Sequence, residues 1–526
     1  MKVITYDVGT TGFKAALYEL AEKNIKLLAS EVDHYVLNTL PNNGVEQNPE
    51  DWWQAMCRTT KKLIEGSGIA KEEEVEGISF CSQFATLVMV DKDGNALRPA
   101  MNTMDCRASE QYKRYMGSGI SVMGMNVRKL LKCLKITKAA PVSTKDTVYR
   151  YLWVRDNEPE IFKKTYKWLD AKEYLAFRAT GQVAASRDDA YMTFLYDPKT
   201  RNWSEELCRL FDVDMKHLPE LCEATDIVGR LQEGPAAELG LAPGTAVISG
   251  GSDVSLCQVG AGCLAPGDVC VCSGTSGWVC TTTDEMAVDV SHSIAAIVGS
   301  DPDTFLYTAD CETAGKCIEW GKERLSATPI KTFGELIDMI KGVPAGSNGI
   351  IFSPWMHGNR CPFEDENARG VFFNVDIDNR SSDLVKAVVE GVCYHMRWLY
   401  ETSAEKVKVS DTVRFVGGSA MSKTVAQVLA DVMNKTVEIV EEPRQAGTSG
   451  AAALCGVAFG IIPSMAAIKD CIKVETVLKP YPANVRVYDT LFPVFKDLYK
   501  DNKKSFEIIN THLKELQKGL TEGLAE

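Results

Sequence analysis

The sequence lacks the residue patterns that mark metal-binding, nucleic-acid-binding and membrane proteins. Its six histidines show no ligand spacing and its 17 cysteines include no CxxC pair, so a structural zinc site has little support. It has no long basic block, and 58 basic against 71 acidic residues give a formal charge of −13. This charge disfavours nucleic acids and anionic membranes as partners.

Long hydrophobic runs are also missing. The longest apolar stretch, residues 451–463, is too short and too interrupted by glycine to span a bilayer. Only four residues separate Met1-Lys2 from Asp7, so we expect no signal peptide. The cysteines lie mostly inside apolar segments, where a thiol packs as a small hydrophobic group. We therefore expect a reduced protein in the cytoplasm.

The chain is long enough for two domains. Its 526 residues exceed what one hydrophobic core organises, and 45% of them are hydrophobic. Strands alternate with amphipathic helices, which predicts an α/β fold with sheets covered on both faces. A boundary signal at residues 241–244 (LAPG) places the interdomain hinge there. We predict an N-terminal domain over residues 1–250, a C-terminal domain over 251–485 and a helical tail over 486–526.

Two segments of similar pattern stand far apart in the chain. Residues 3–19 and 269–283 both show an apolar strand, a turn of glycine and hydroxyl residues, and a second apolar strand. Such a turn presents backbone N–H groups and hydroxyls at one point, as a phosphate chain requires. Ordinary hairpins also use glycine and threonine, so each turn alone is compatible with no ligand. Two copies, one per half, favour a nucleotide held between two similar domains.

The two turns differ in the residue that precedes them. Asp7 ends the first strand, whereas Cys272 and Ser273 stand at the corresponding place in the second hairpin. One carboxylate beside two phosphate-binding turns is expected for a hydrated Mg²⁺ ion, which takes few protein ligands. Lys14 follows the first turn and is a candidate phosphate contact; a solvated surface lysine is the alternative.

Two further glycine turns complete the set of candidates. The predicted strand 413–416 is followed by Gly-Gly-Ser-Ala at 417–420 and then by a helix. This strand–turn–helix order is common in nucleotide-binding sites. It also occurs in α/β crossovers that bind no ligand. Asp253 follows Gly-Gly-Ser at a predicted strand end. There it is a candidate base for an attacking hydroxyl in phosphoryl transfer. The alternative is that Asp253 only caps the following helix.

The order of these segments resembles the FGGY carbohydrate kinases, within the actin-like ATPase architecture. The resemblance covers roughly residues 1–485. Residues 147–157 resemble the first family signature, with Arg150 where lysine is usual, and residues 368–390 resemble the second, with Asn374 at a position normally glycine. Residues 358–362 (GNRCP) are similar to the family's Gly-Glu-Arg-Thr-Pro turn.

The resemblance implies two actin-like ATPase (ribonuclease H-like) domains with a catalytic cleft between them, and transfer of the ATP γ-phosphoryl group to a sugar or polyol. It implies that Asp253 is the base and that Asp7 binds Mg²⁺ through water. The cleft would close over the substrate, which keeps water from competing for ATP. A homodimer is possible by family analogy. The implied ATP contacts are Thr10, Thr11, Lys14, Gly274, Thr275, Gly417, Gly418 and Ser419.

The substrate is constrained less tightly. Gln83 is followed by Phe84-Ala85, which replaces the polyol-binding Arg-Glu pair of glycerol kinases, so glycerol is disfavoured. Residues 105–107, 132–138 and 143–146 resemble the xylulose-kinase-like branch, which implies that Gln83, Asp105 and Arg107 line the sugar pocket. As polar loop residues, they are equally compatible with a structural role.

We therefore expect an ATP-dependent kinase that acts on D-xylulose or a related pentulose. The alternatives are a kinase for another polyol or a hexulose, and a catalytically silent sugar or nucleotide sensor. The sensor hypothesis rests on the departures from the family pattern at Ala85, Val254 and Asn374. A filament-forming ATPase is a third alternative, which leaves the sugar-kinase signatures without a purpose.

Overall fold

The computed structural model describes the chain except residues 67, 120, 123, 327–329, 514–515 and 517–526. Its N-terminal half contains the strands β1 (Lys2–Val8), β2 (Gly12–Ala21), β3 (Asn24–His34), β4 (Asn38–Thr39), β5 (Val45–Gln47), β6 (Val75–Ser82), β7 (Val88–Val90), β8 (Ala100–Met101), β9 (Ser121–Val122), β10 (Met125–Asn126), β11 (Lys167–Leu169), β12 (Ala184–Ser186), β13 (Tyr196–Asp197), β14 (Asn202–Trp203), β15 (Glu220–Cys222), β16 (Ile227–Arg230), β17 (Ala246–Ile248) and β18 (Gly251–Ser252). The helices of this half are α1 (Pro49–Lys61), α2 (Ser109–Tyr115), α3 (Val127–Thr137), α4 (Thr147–Asn157), α5 (Pro159–Lys164), α6 (Ala171–Thr180), α7 (Arg187–Tyr191), α8 (Glu205–Phe211), α9 (Glu233–Leu239) and α10 (Asp253–Gly260).

The C-terminal half repeats this alternation of strands and helices. Its strands are β19 (Val269–Ser273), β20 (Gly277–Thr283), β21 (Val288–Asp289), β22 (Ile294–Val298), β23 (Phe305–Cys311), β24 (Ile351–Ser353), β25 (Val371–Phe373), β26 (Thr412–Val416), β27 (Thr436–Val440) and β28 (Val474–Leu478). Its helices are α11 (Gly315–Arg324), α12 (Phe333–Ile340), α13 (Ser381–Ala404), α14 (Lys423–Met433), α15 (Ala446–Ala458) and α16 (Pro482–Glu507).

Each half is built on one large sheet, and the two sheets share a strand order. The first runs β16-β17-β6-β1-β2-β3 with β18 beside β6, and the second runs β21-β22-β23-β20-β19-β26-β27-β28. In both, an antiparallel three-stranded meander is followed by strands parallel to its first strand. The expected α/β fold with two similar domains is confirmed, and both predicted hairpins, β1–β2 and β19–β20, are present.

A helix from the C-terminal half of the chain packs on the N-terminal sheet. Residues 451–455 of α15 share a buried cluster with Val3 of β1, Ile248 of β17 and Leu256 of α10. The Thr5 hydroxyl donates to the Thr448 carbonyl at 2.9 Å. Helices α10 and α15 therefore form a shared layer between the two sheets.

Helix α10 approaches α15 so closely that the contact tolerates no side chain. A Cβ at Gly260 would lie 1.9 Å from the Ala446 carbonyl oxygen, and a Cβ at Gly450 would lie 2.0 Å from that of Leu256. Backbone therefore touches backbone at this crossing, which explains two glycines inside helices, where glycine is otherwise unfavourable.

The ends of several elements follow from local sequence. Asn48 caps α1 by accepting the Glu50 N–H, with Pro49 as the first helical residue, as its sequence predicts. The C-terminal helix begins at Pro482 and buries Phe492 and Phe495 in the core of the second half. It is thus a structural part of that half; the end of the predicted tail lies outside the described residues.

The described part of the chain has two further properties that bear on the sequence analysis. All 17 cysteines are free thiols, and most are buried. No described helix combines the length and the apolar character needed to cross a membrane.

Candidate active site

The first glycine turn is a tight, braced hairpin end. The Gly9 N–H donates to the Gly12 carbonyl at 2.9 Å. The Tyr35 hydroxyl lies 2.5 Å from the Gly9 carbonyl oxygen and 3.2 Å from that of Gly12. Thr10 is half-buried at the tip and Thr11 is exposed. The turn therefore presents hydroxyls from a rigid support, as a phosphate contact requires.

Lys14 joins the two halves at this turn. Its Nζ lies 3.3 Å from the Asp7 carboxylate and donates at 3.0 Å to the Arg444 carbonyl, on the loop before α15. Its side chain is only 22% exposed. The alternative of a freely solvated surface lysine does not describe this arrangement.

The second and third glycine turns meet. Strands β19 and β26 are parallel neighbours with Cys272 beside Val416, so both turns leave the same edge of the sheet. The hydroxyls of Ser273 and Ser419 are 2.8 Å apart. Gly417 has a φ of +92°, and a Cβ there would lie 2.7 Å from the Ser273 carbonyl oxygen.

The third turn differs from its prediction in one respect. A short 3₁₀ segment, Gly418–Met421, separates the glycines from α14, and Ser422 caps that helix by accepting the Val425 N–H. Helix α14 therefore begins at Lys423 rather than directly after the glycines. The backbone of the turn itself, with Ser419, is what faces the neighbouring turn.

Asp253 is the first residue of α10, directly after β18. Gly250, with a φ of +74°, precedes it, and a Cβ there would lie 2.0 Å from the Phe80 carbonyl oxygen. Ser252 precedes the helix without a side-chain capping bond, and the Asp253 carboxylate accepts the adjacent Val254 N–H at 2.7 Å. This N–H belongs to the first turn of α10, so the geometry agrees with the helix-cap alternative, and the catalytic role of Asp253 stays a prediction.

Parallel pairing explains why Asp7 and Asp253 are close. Strand β6 lies between β1 and β18, with Cys81 beside both Asp7 and Gly251. Burial first, and then the negative charges of Asp7 and Asp310, raise the pKa of the Asp253 carboxyl to about 7. Since Asp310 ends a strand of the C-terminal sheet, Asp253 faces carboxylates of both halves.

A chain of amides connects Gln83 to the first glycine turn. Asn102 donates to the Gln83 side-chain oxygen at 3.0 Å, Gln83 donates to Gln47 at 2.8 Å, and Gln47 donates to the Thr10 carbonyl at 2.8 Å. The sequence analysis did not single out Gln47 or Asn102, because no local pattern marks them. Their role follows from the three loops that meet here.

Asp105 and Arg107 are turned toward each other. The Asp105 side chain is fully buried and accepts the Val45 N–H at 2.9 Å and the Arg107 guanidinium at 2.7 Å. The guanidinium also bonds Glu46 at 2.7 Å and stacks on Trp153, 4.6 Å from the ring centre. These contacts are structural; direct contact of either residue with a sugar stays a prediction.

Arg150, which stands where lysine is usual in the first signature, is buried and bonds to the backbone of the same loops. Its guanidinium donates to the carbonyls of Met101, Asn102 and Ala85 at 2.8, 2.7 and 2.5 Å. Burial lowers its pKa to about 10, a value at which it remains charged at neutral pH. Ala85 has a φ of +57°, so Arg150 binds the carbonyl of a strained residue.

Two charged residues near the interface of the two halves received no role in the sequence analysis. Arg360, in the Gly-Asn-Arg-Cys-Pro turn, lies 3.9 Å from the Asp310 carboxylate. Burial raises the pKa of Asp146, at the start of α4, to about 6, and the charge of Arg360 opposes that rise. Arg360 thus belongs to the second half and acts electrostatically on the first.

No group of three or more histidine, cysteine or carboxylate side chains is arranged to hold a metal ion within the described ranges. Any divalent cation bound here would therefore depend on water or on a ligand for most of its coordination.

Comparisons with known proteins find similarity over most of the chain. The N-terminal and C-terminal domains of the FGGY family of carbohydrate kinases match residues 2–260 and 269–459. A xylulose kinase from Bacillus subtilis is 30% identical over 98% of this chain and 99% of its own length. A gluconokinase from the same species is 25% identical over 98% of both. A solved ligand-bound xylulose kinase from Lactobacillus acidophilus has a TM-score of 0.83 and 25% identity, over 96% of this chain and 99% of that one.

Proposed function

This chain belongs to the FGGY family of carbohydrate kinases, and from that premise we propose that it transfers the γ-phosphoryl group of ATP to a hydroxyl of D-xylulose or a closely related pentulose. The observation that carries the proposal is the buried Asp253 carboxyl at the start of α10, on which the negative charges of Asp7 from one half and Asp310 from the other both act. Similarity to xylulose kinases over nearly the full length supports the choice of sugar.

Asp253 is the proposed proton acceptor. The sugar oxygen bonds to the γ-phosphorus as its proton passes to the Asp253 carboxylate, and the bond from that phosphorus to the bridging oxygen breaks to leave ADP. A pKa of about 7 suits this task, because the group is partly ionised and still basic at neutral pH.

The three glycine turns are the proposed ATP contacts. Near the phosphates we place Thr10, Thr11 and Lys14 from the first hairpin, and Gly274 and Thr275 from the second. Near the adenosine we place Gly417, Gly418 and Ser419. The support is that Lys14 is already oriented toward Asp7 and that Ser273 and Ser419 are in contact across the second and third turns.

Mg²⁺ is the proposed cofactor, bound by Asp7 through water. The residues present fit a hydrated divalent cation, since Asp7 offers one partly exposed carboxylate and the described residues hold no group of three protein ligands that would replace its waters. When bound, the ion would neutralise phosphate charge that a protein of net charge −13 otherwise repels.

The polar side chains around the predicted sugar pocket favour a neutral substrate. Gln83, Gln47 and Asn102 form an uncharged, buried amide network, and Arg107 is already neutralised by Asp105 and Glu46. Gluconate is the second candidate, because a gluconokinase is 25% identical over 98% of the chain. An aldonate would need a cation for its carboxylate, and neither Arg107 nor the carbonyl-bound Arg150 is free to serve.

A coupled ADP-release assay tests the proposal. D-Xylulose should give the highest kcat/KM in a panel of pentuloses, hexuloses, gluconate, glycerol and other polyols. Asp253→Asn should keep ATP affinity and lose several orders of magnitude in kcat, because only the base and its charge are removed. Near-normal turnover by this variant would show that Asp253 is not the base.

The same assay separates the alternative functions. Preference for gluconate would favour the second candidate, and nucleotide binding without sugar-dependent ADP release would indicate a silent sensor.

Cytoplasmic location and a homodimeric state complete the proposal. The first rests on the free, mostly buried thiols, and the second on family analogy alone. Sedimentation equilibrium of the purified chain at two concentrations measures the second directly.

A further inference from the structure

A buried carboxylate outside the turns touches the backbone that carries Asp253. Asp188, in the short helix α7, is 2% exposed. Its Oδ2 accepts the Ser252 N–H at 2.8 Å and the Ser300 hydroxyl at 3.3 Å. Ser252 immediately precedes Asp253, and Ser300 follows β22 of the C-terminal sheet. One carboxylate thus connects the catalytic segment to the second half.

We propose that Asp188 is a positioning residue for phosphoryl transfer: its carboxylate fixes the backbone at Ser252, and hence the Asp253 side chain, relative to both halves of the cleft. The inference rests on the proposed function, because it assigns Asp188 a role in the reaction for which Asp253 is the base. Asp188 itself touches neither substrate nor reacting atoms.

The segment before Asp253 is held by backbone bonds, from the Gly250 N–H to the Ala224 carbonyl and between β18 and β6, and Asp188 adds a side-chain contact to them. Gly250 and Gly251 have no side chains to hold them, and glycine has the largest backbone freedom of any residue. At Gly251 the space of a side chain is taken by the anchor, since a Cβ there would lie 2.7 Å from the Asp188 carboxylate and 2.3 Å from the Ser300 hydroxyl. The glycine and the carboxylate therefore fit each other.

The other carboxylate oxygen of Asp188 is held from the N-terminal half. It accepts the Ser186 hydroxyl, and Ser186 in turn accepts the Lys172 ammonium at 2.9 Å. Lys172 is 1% exposed and pairs with the carboxylates of Glu173 and Asp189, so a buried ionic cluster supports the Ser186 side of Asp188. Charge-assisted hydrogen bonds of this kind are shorter and stronger than neutral ones.

The contact on the C-terminal side is also reinforced. The Ser300 N–H donates to the Ser255 hydroxyl at 2.6 Å, and the Ser255 hydroxyl lies 2.7 Å from that of Ser300. Tyr191, at the end of α7, donates to the Ala296 carbonyl of β22 at 3.3 Å. Helix α7 is thus attached to the strand that leads to Ser300.

Asp188→Ala and Asp188→Asn test the proposal in the ADP-release assay. Asp188→Ala removes both acceptors, and we expect kcat to fall by about 100-fold, the cost of a misplacement near 1 Å. The KM for ATP should stay within about threefold. Asp188→Asn keeps an oxygen for the Ser252 N–H and should recover most of the loss, to about three- to tenfold below wild type.

Glu390→Gln is the matched control. Glu390 is a carboxylate 1% exposed in the C-terminal core, where it accepts the Gly346 N–H at 3.0 Å, the Ser347 hydroxyl at 2.7 Å and the Tyr488 hydroxyl at 2.8 Å. Its replacement should lower the melting temperature and leave kcat unchanged within about twofold. If kcat falls in Asp188→Ala and not in Glu390→Gln, the fall is due to lost positioning of Asp253 and not to the loss of a buried carboxylate as such.

Amide hydrogen exchange supplies a readout that needs no activity. In the ligand-free protein, Asp188→Ala should raise the exchange rate at Ser252 and Asp253, and Glu390→Gln should not. If wild type releases no ADP with any sugar, the proposed function fails and this exchange alone decides the anchoring. Unchanged exchange at Ser252, or a kcat for Asp188→Ala within about threefold of wild type, overturns the proposal. If Asp188→Ala does not fold, Asp188→Asn decides, and a kcat equal to wild type overturns it.

Discussion

At the scale of single residues, the carboxylates of Asp7 and Asp253 lie near one sheet edge but have different surroundings. Asp7 has the Lys14 ammonium 3.3 Å away, whereas Asp253 accepts the Val254 N–H and is acted on by the negative charges of Asp7 and Asp310. Two carboxylates in different surroundings are suited to different tasks. We assign the metal-bound water to the paired one and proton acceptance to the isolated one.

The pKa of Asp253 gives an activity prediction. Because the acceptor must be ionised, kcat/KM for the sugar should rise with pH through about 7 and level off above it. Asp310→Asn removes one of the charges that raise this pKa, so the rise should move to lower pH. Steady-state rates between pH 5.5 and 9 measure both curves. A flat profile in wild type would contradict the role of Asp253.

The same group gives a stability prediction. Its folded-state pKa, about 7, lies above the ordinary aspartate pKa of 3.8, so between these pH values the folded protein binds more protons than the unfolded chain. The contribution of Asp253 to stability therefore falls as pH rises through this window. Asp253→Asn has no charge to bury. The melting temperature of the variant minus that of wild type should therefore increase from pH 4 to pH 8. An unchanged difference across that range would show that the carboxyl is not buried in this way.

Asp7 leads to a prediction about Mg²⁺. Asp7→Asn should raise the Mg²⁺ concentration needed for half-maximal activity by about 10- to 100-fold, the usual cost of removing a group that orients a metal's ligands. Asp253→Asn should leave Mg²⁺-dependent ATP binding unchanged, which isothermal calorimetry can test. Equal Mg²⁺ requirements in wild type and Asp7→Asn would place the ion elsewhere.

At the scale of elements, the crossing of α10 and α15 determines how Asp253 is held. Helix α10 begins with Asp253 and ends at Gly260, where its backbone touches Ala446. Lys14 contacts the Arg444 carbonyl just before α15. The base and the first phosphate turn are therefore both attached to this pair of helices, and the spacing of the helices should matter to catalysis as well as stability.

Gly260→Ala tests this crossing. Its Cβ would lie 1.9 Å from a backbone oxygen, so the helices must separate, and we expect a loss of about 1–3 kcal/mol in the free energy of unfolding. Gly334→Ala, in α12, is the control, because a Cβ there would make only an ordinary contact, 3.8 Å from the Thr332 hydroxyl. It should be neutral or stabilising by up to about 1 kcal/mol. Chemical denaturation compares the two, and equal effects would show that the close contact is not maintained.

At the scale of the whole molecule, the two halves meet at more than one place around the cleft. Helix α15 packs on the N-terminal sheet on one side, and Tyr191 of α7 clusters with Val298 of β22 at another. The candidate base, the phosphate turns and the Arg360–Asp310 pair lie where these halves face each other. Such an arrangement suits a cleft that closes over ATP and sugar, and so excludes water from the phosphate.

Closure can be observed in solution. With Mg²⁺, a non-hydrolysable ATP analogue and D-xylulose, the radius of gyration from small-angle scattering should fall below that of the free protein. Asp253→Asn should contract equally, because only the proton acceptor is lost. Each ligand at about 100 times its dissociation constant should add about 2.7 kcal/mol to stability. The absence of any contraction with both ligands would contradict the closing cleft.

The sequence alone determined the features that depend on neighbouring residues. The hairpins at the first two glycine turns, the Asn48 cap of α1 and the glycines before Asp253 follow from short patterns, because turn geometry and capping are satisfied within a few residues. Asn374 likewise has a φ of +64°, a conformation that asparagine tolerates where the family has glycine. The order of these motifs was sufficient to indicate the kinase family.

Only the tertiary structure decided which of these groups act together. Asp188 lies 64 residues from Ser252 in the chain, Gln47 lies 36 from Gln83, and Lys14 lies 430 from Arg444. No local pattern encodes such pairs, because they arise when parallel strands bring distant chain segments to one sheet edge and helices pack between two sheets. The turns are thus a property of the sequence, and the cleft that joins them is a property of strand register and helix packing.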